Sequence, residues 1–230
     1  MNLLRRAVRA LIVLLIFILC VQWGRQIKEI FYTSEIWQPR LILDAGHGGE
    51  DGGAVSLSGH KESLINLSIT LKLDQILALM GEPPLLLRET DISLHDDGAV
   101  TIREKKVSDL KNRVKTAGQY PAATLVSIHQ NSYPEPQYRG TQVFFSSTAG
   151  SQQLAQSLQN AFSVHLQPEN IRQAKEIPDS VYLMNHIQNR AVLVECGFLT
   201  NPEEDVLLQQ DDYQCKLALI LGAALADAIR

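Results

Sequence analysis

Apolar residues along this chain come in short blocks whose period switches between strand-like and helical. Leu41, Ile42 and Leu43 form a compact apolar block within Arg40–Asp44 and predict a first strand. From Ser63 to Met80 the apolar positions fall at Ile65, Ile69, Leu73, Ile76 and Met80, the spacing of one helix face. Gly81 and the pair Pro83-Pro84 stop that helix. Leu85–Arg88 reads as a second strand, Thr124–His129 as a third and Thr141–Ser146 as a fourth. Ala191–Glu195 is almost continuously apolar, the pattern of a strand covered on both faces. Asp91–Val107 is polar and reads as a loop feeding a helix around Ser108–Ala117, while Gln152–Phe162 and Tyr213–Ile229 read as further helices. Strands alternating with helices predict an α/β fold: a single domain on a largely parallel, twisted sheet flanked by helices.

The N-terminal residues depart from that rhythm. Arg5, Arg6 and Arg9 precede the apolar run Ala10–Val21, which Gln22 and Trp23 follow. A basic flank, an apolar run and an interfacial aromatic fit a secretion signal or a short membrane anchor. No small-x-small cleavage site follows, and Leu19 stands before Cys20 where a lipoprotein site needs a small residue. An uncleaved N-terminal anchor helix is therefore expected over residues 1–24, with a linker at 25–39 and the folded domain at 40–230. The arginines keep the extreme N-terminus cytoplasmic and place the rest outside the membrane.

Five of the 21 Lys and Arg residues lie in residues 1–28, which hold no acid, so the remainder sets 16 basic residues against 25 acidic ones, a net of −9. That balance argues against a nucleic-acid partner, which would require a basic patch. Cys196 and Cys215 lie beyond the apolar segment and could pair outside the cell, but the apolar setting of Cys196 favours a buried free thiol. With no CxxC in the chain, a cysteine metal site has no support.

Chemistry concentrates after the first strand, in Asp44-Ala45-Gly46-His47-Gly48-Gly49-Glu50-Asp51-Gly52-Gly53-Ala54. Glycine at this density permits tight turns and close backbone approach, with one histidine among them. Three later residues give that histidine meaning. His129 ends the third predicted strand, Glu195 ends the strand Ala191–Glu195, and Glu62 opens the first helix. Open α/β sheets place their binding crevice at the C-terminal strand ends, so all four fall on one rim. Two histidines and a carboxylate make a catalytic zinc set, with His47, Glu62 and His129 as ligands. Glu195, alone after Val192-Leu193-Val194, is the candidate general base, since burial raises a carboxyl pKa toward a useful range. Singly each has a plainer reading: a turn residue, a helix-capping acid, a core histidine. Their convergence on one rim is what sets those readings aside.

Leu43–Ala54 resembles the first motif of the zinc-dependent N-acetylmuramoyl-L-alanine amidases, the Amidase_3 family. Ser127-Ile128-His129-Gln130-Asn131 resembles the second motif, and Val194–Pro202 the third. Glu62, fifteen residues after His47, matches the family's ligand glutamate. The likeness covers about residues 40–229. It implies zinc held by His47, Glu62 and His129, with Glu195 catalytic. Ala45 stands where the family usually has proline, a change in loop stiffness and not in a ligand. The stretches Arg103–Val114 and Val181–His186 look most like the sporulation-type CwlD branch. That likeness implies a spore-cortex setting, where the amidase exposes muramic acid for conversion to muramic-δ-lactam. No wall-binding repeat is present, so targeting would fall to the anchor and to protein partners, an activating partner among them.

The expected activity is hydrolysis of the amide between N-acetylmuramic acid and L-alanine of peptidoglycan, in the bacterial cell envelope, membrane-tethered or secreted. The alternatives are another zinc peptidase acting on wall peptides and a non-catalytic wall-binding module. Arg88 and Arg113 are candidates for contacting the substrate's carboxylates, with helix-surface charge the plainer reading of Arg113. His186 is expected at the surface or in packing. His60, His95 and His165 have no assigned role. The sequon Asn66-Leu67-Ser68 lies inside the predicted helix and is discounted.

Overall fold

The structure, a computed structural model, describes residues 38–229. The expected anchor helix and all but the end of the linker lie outside the described residues. Among the described residues no helix is long and apolar enough to cross a membrane.

In chain order the elements are β1 (Leu41–Ala45), α1 (Glu62–Leu79), β2 (Leu85–Leu86), α2 (Ile102–Gly118), β3 (Thr124–Asn131), β4 (Gln142–Phe145), α3 (Ser151–His165), β5 (Lys175–Glu176), α4 (Tyr182–His186), β6 (Ala191–Phe198), α5 (Pro202–Leu208) and α6 (Asp211–Ala228). Six strands form one sheet in the order β2-β1-β3-β6-β4-β5. The sheet is largely parallel, as expected, with one antiparallel pairing that makes it mixed. β2, β1, β3 and β6 run parallel, β4 pairs antiparallel with β6, and β5 follows β4. The apolar content of Gln142–Phe145 marks it as a strand but carries no information about direction.

Each central strand is buried on both faces. Leu41, Leu43, Val126, Ile128, Val192 and Val194 meet Ile65, Ile69, Leu73 and Leu77 of α1, with α3 and α6, on one side. Ile42, Leu125, Ala191 and Leu193 meet Ala117, Leu183 and Met184 on the other. Burying a Leu or Ile side chain stabilises by roughly 1.5–3 kcal/mol, so this three-layer core fixes the sheet as a rigid base for its rim.

Helix α2 starts six residues earlier than the apolar pattern indicates. Thr101 accepts from the Glu104 N–H at 3.2 Å, and Glu104 accepts from the Thr101 N–H at 2.8 Å, a reciprocal capping box. Its first turns are polar and exposed, so periodicity gives no sign of them. β3 and β6 run past their predicted ends, to Asn131 and Phe198, and their register shifts between His129 and Asn131. That irregularity re-aims side chains at the sheet's C-terminal edge.

Candidate metal centre

β1, β3 and β6 are adjacent and parallel, which brings their C-terminal ends to one edge. His129 and Glu195 are register partners across β3 and β6. Past β1 the chain turns sharply. His47 takes a left-handed backbone, φ 61°, a conformation histidine tolerates better than bulkier residues. Gly46 lets this turn press against β3, since a Cβ there would sit 2.2 Å from the His129 ring. Gly53, φ 68°, brings the loop back over α1, where a Cβ would lie 2.6 Å from Glu62 Oε2.

Glu62 stands at the first position of α1, almost fully buried. His129 Nδ1 lies 3.0 Å from its Oε1, and His47 Nε2 lies 3.3 Å from its Oε2. One donor atom from each of His47, Glu62 and His129 lies within 4.8 Å of the others, so the three could hold a metal ion. The two imidazole rings meet edge-on at 5.1 Å. Glu62 is fixed by the N–H groups of Ala54 (3.0 Å) and Gln130 (3.2 Å) and by Asn66 Nδ2 (3.3 Å). Asn66 is itself held by Gln130 Nε2 at 3.1 Å and donates to the Gly46 carbonyl at 3.2 Å.

Asp51 completes the arrangement, with its Oδ2 3.0 Å from His47 Nδ1 and 3.1 Å from Lys106 Nζ of α2. Burial alone would lower the His47 pKa, but Asp51 and Glu62 overcome it and push it up to about 9. Glu62 lies well below the usual carboxylate range. Burial acts against that, and the two histidines outweigh it. The same concentration of negative charge that keeps a proton on His47 suits a cation, and two imidazoles with one carboxylate are the donor types zinc takes.

Glu195 differs. Burial raises its pKa to about 7, with Glu62 adding to the rise and the two histidines opposing it. Its Oε2 is shielded and has no hydrogen-bond partner, an orphan polar atom at the edge of the cluster. His47, His129 and Glu195 line a cavity of about 240 Å³ that Lys106 and Tyr182 help to wall.

The structure thus brings together all four residues singled out in the sequence. Arg88 and Arg113 are both buried and bound to internal partners, so the helix-surface reading of Arg113 is corrected, although Arg113 also lines the cavity at the metal cluster. Arg113 pairs with Asp44 and Asp109 and donates to the carbonyls of Ala45 (3.0 Å) and His47 (2.7 Å). Arg88 donates to the carbonyls of Ala45 (2.8 Å), Gly46 (3.1 Å) and Ser63 (2.8 Å). Together they tie down the turn that carries His47. Cys196 is buried and free and Cys215 exposed and free, so the two do not pair. His186 is exposed and stacks on Tyr182 at 3.9 Å. Sequence reasoning missed Asp51, Asn66 and Lys106, whose roles come from contacts between distant segments. For Asp51 the one signal is its place four residues after His47 in the glycine-rich loop.

The sheet, its rim and this cluster are those of an amidase. The sequence profile of the N-acetylmuramoyl-L-alanine amidase family matches residues 41–229, and the chain belongs to that family. It is 33% identical over 202 residues to the germination-specific N-acetylmuramoyl-L-alanine amidase of Bacillus subtilis (strain 168), a match covering 83% of each chain. Among solved structures it is similar to the CwlD amidase from Clostridioides difficile, determined in complex with the GerS lipoprotein. The TM-score is 0.78 at 36% identity, over 82% of this chain and 96% of that one. The catalytic domain of CwlV, the amidase from Bacillus (Paenibacillus) polymyxa var. colistinus, matches with a TM-score of 0.67 at 27% identity, over 83% of this chain and 97% of that one.

Proposed function

We propose that the chain hydrolyses the amide between the lactyl group of N-acetylmuramic acid and L-alanine in peptidoglycan, with zinc held by His47, Glu62 and His129 and with Glu195 as the acid–base group. The observation that carries this reading is the His47–Glu62–His129 cluster with a raised, unpartnered carboxyl beside it. Zinc there would supply polarisation of the scissile carbonyl and a water acidic enough to react near neutral pH. Glu195 takes the proton of the attacking water as its oxygen bonds to the carbonyl carbon. The carbon–nitrogen bond then breaks, and Glu195 delivers that proton to the amine of L-alanine. Asp51 holds the His47 ring in place through Nδ1.

The likeness to a germination-specific enzyme supports a role in the spore cortex, where the freed muramic acid becomes available for δ-lactam formation. The basic-then-apolar pattern of residues 1–24 supports a membrane tether, residues 25–39 a linker and residues 40–230 the catalytic domain, outside the membrane. The complex of the C. difficile relative with a lipoprotein supports an activating protein partner.

Product analysis on purified peptidoglycan tests the activity. New N-terminal L-alanine without new reducing sugar ends is expected. New amines at peptide cross-links instead would assign the chain to a different wall hydrolase.

A further inference from the structure

Beyond β3 the segment 132–140 leaves the same C-terminal sheet edge that carries His129 and Glu195. The Tyr133 N–H donates to Thr200 Oγ1 at 3.1 Å, and Asn201 Nδ2 donates to the Pro136 carbonyl at 2.8 Å, so the segment is pinned to the end of β6. It carries two exposed tyrosines, Tyr133 at 47% and Tyr138 at 43%. Their rings meet edge-to-face at 5.0 Å, Tyr138 stacks on Phe198 at 6.4 Å, and the Arg172 guanidinium lies 5.0 Å over the Phe198 ring. The result is a line of flat groups, Tyr133–Tyr138–Phe198–Arg172. It begins four residues after His129 and includes the residue three after Glu195. Tyr138, Arg139 and Arg172 also line a cavity of about 520 Å³, more than twice the volume of the one at the metal cluster.

Scattered exposed aromatics need no explanation, but a contacting pair at the sheet edge that carries the metal cluster does. Tyrosine offers an apolar ring face and a polar edge, which matches a sugar ring with a C–H face and peripheral hydroxyls. The two guanidinium groups stand out on a domain of net charge −9, and guanidinium is the group suited to carboxylates. Arg139 pairs with Glu203 at 2.8 Å, but both side chains are more than half exposed and such a pair is weakly held. Glu204, at the same cavity, is occupied in accepting the N–H groups of Gly140 and Phe198. Peptidoglycan presents the matching chemistry in one polymer, sugar rings in series with carboxylate-bearing peptides.

We propose that Tyr133 and Tyr138, with the cavity behind them, form a subsite for the glycan strand. The tyrosine faces take a sugar ring beyond the scissile muramic acid, and Arg139 and Arg172 face a carboxylate of a stem peptide. This rests on the amidase reading above. Binding away from the reacting bond would favour polymer over small fragments.

The test uses the full chain. In the Glu195→Gln background, co-sedimentation with purified insoluble peptidoglycan reads binding without turnover. Tyr133→Ala/Tyr138→Ala is expected to weaken it about tenfold, while Tyr133→Phe/Tyr138→Phe, which keeps the ring faces, should stay within about threefold. In the active chain, the efficiency on polymer relative to that on N-acetylmuramoyl-dipeptide should fall about tenfold in the alanine pair, with metal content unchanged. Undiminished sedimentation would overturn the proposal. So would an equal loss on both substrates, or a loss that tracks a lowered melting temperature and is not rescued by phenylalanine. A wild type that hydrolyses neither substrate would remove the amidase reading, and the sedimentation result would still decide the subsite.

Discussion

His47 is held from both sides of its ring, by Asp51 at Nδ1 and Glu62 at Nε2, on a left-handed backbone that Arg113 fastens through the His47 carbonyl and Arg88 through that of Gly46. Such a residue is placed before any ligand arrives. Removing its outer partner tests that placement. Asp51→Ala should weaken zinc affinity roughly 10–100-fold while the fold persists, measured by titration against a chromophoric chelator. Unchanged affinity would show that the His47 ring needs no support. Gly46→Ala should be more severe, because its Cβ would occupy the space of the His129 ring. Loss of metal binding with folded helix content retained, read by metal analysis and circular dichroism, is the expected outcome.

At the scale of elements, the rim depends on a buried ionic network linking β1, α2 and β3. Asp44 accepts from Arg113 and from Ser127 Oγ (2.6 Å), and Asp109 accepts from Arg113 Nε at 2.6 Å. Burial alone would raise the Asp44 pKa, but the Arg113 guanidinium, the Ser127 hydroxyl and His129 together hold it below the usual value. A depressed carboxyl contributes stability in full above its unfolded pKa, near pH 4, and loses it as pH falls through the folded value. Asp44→Asn should therefore cost about 3–5 kcal/mol at neutral pH and make the acid side of the stability curve shallower, read from urea midpoints at several pH values. Equal slopes in both proteins would remove Asp44 from the acid-sensitive groups. Thr101→Ala should lower stability by about 1 kcal/mol through loss of the capping box.

How far these elements could be read from sequence follows from where their stability comes from. Strands buried on both faces announce themselves as unbroken apolar runs, as Val192-Leu193-Val194 does. Helix α1 shows its buried face at helical spacing. The start of α2 shows neither, because Ile102 is 73% exposed and the Thr101–Glu104 box is its only local signal. Two-residue β5 and five-residue α4 are too short to carry a period. Of the site, His47, Glu62, His129 and Glu195 were legible because strand ends and one helix start place them. The burial of Arg88 and Arg113 was not legible, since most of their partners are backbone carbonyls and an Asp44 that the folded chain brings near.

For the molecule as a whole, the proposed N-terminal tether brings an acidic domain to the wall. The proposed tether makes a simple prediction: the full chain should sediment with membranes and deletion of residues 1–24 should release it, followed by immunoblotting of fractions. The deleted form remaining in the membrane pellet would place the attachment in the domain itself. The proposed glycan subsite starts from the sheet edge that carries the metal cluster, so on this reading chemistry and polymer binding share one edge of the sheet.

The central claim separates two jobs on that edge: His47, Glu62 and His129 hold the metal, and Glu195 moves the proton. Metal-to-protein ratio and release of L-alanine amine, measured on the same preparations of wild type, His129→Ala and Glu195→Gln, test it most directly. The account predicts zinc and turnover in the wild type, both removed by a chelator. It predicts neither in His129→Ala, and zinc with turnover reduced at least about a hundredfold in Glu195→Gln. Near-normal turnover in Glu195→Gln, or full zinc occupancy in His129→Ala, would contradict it.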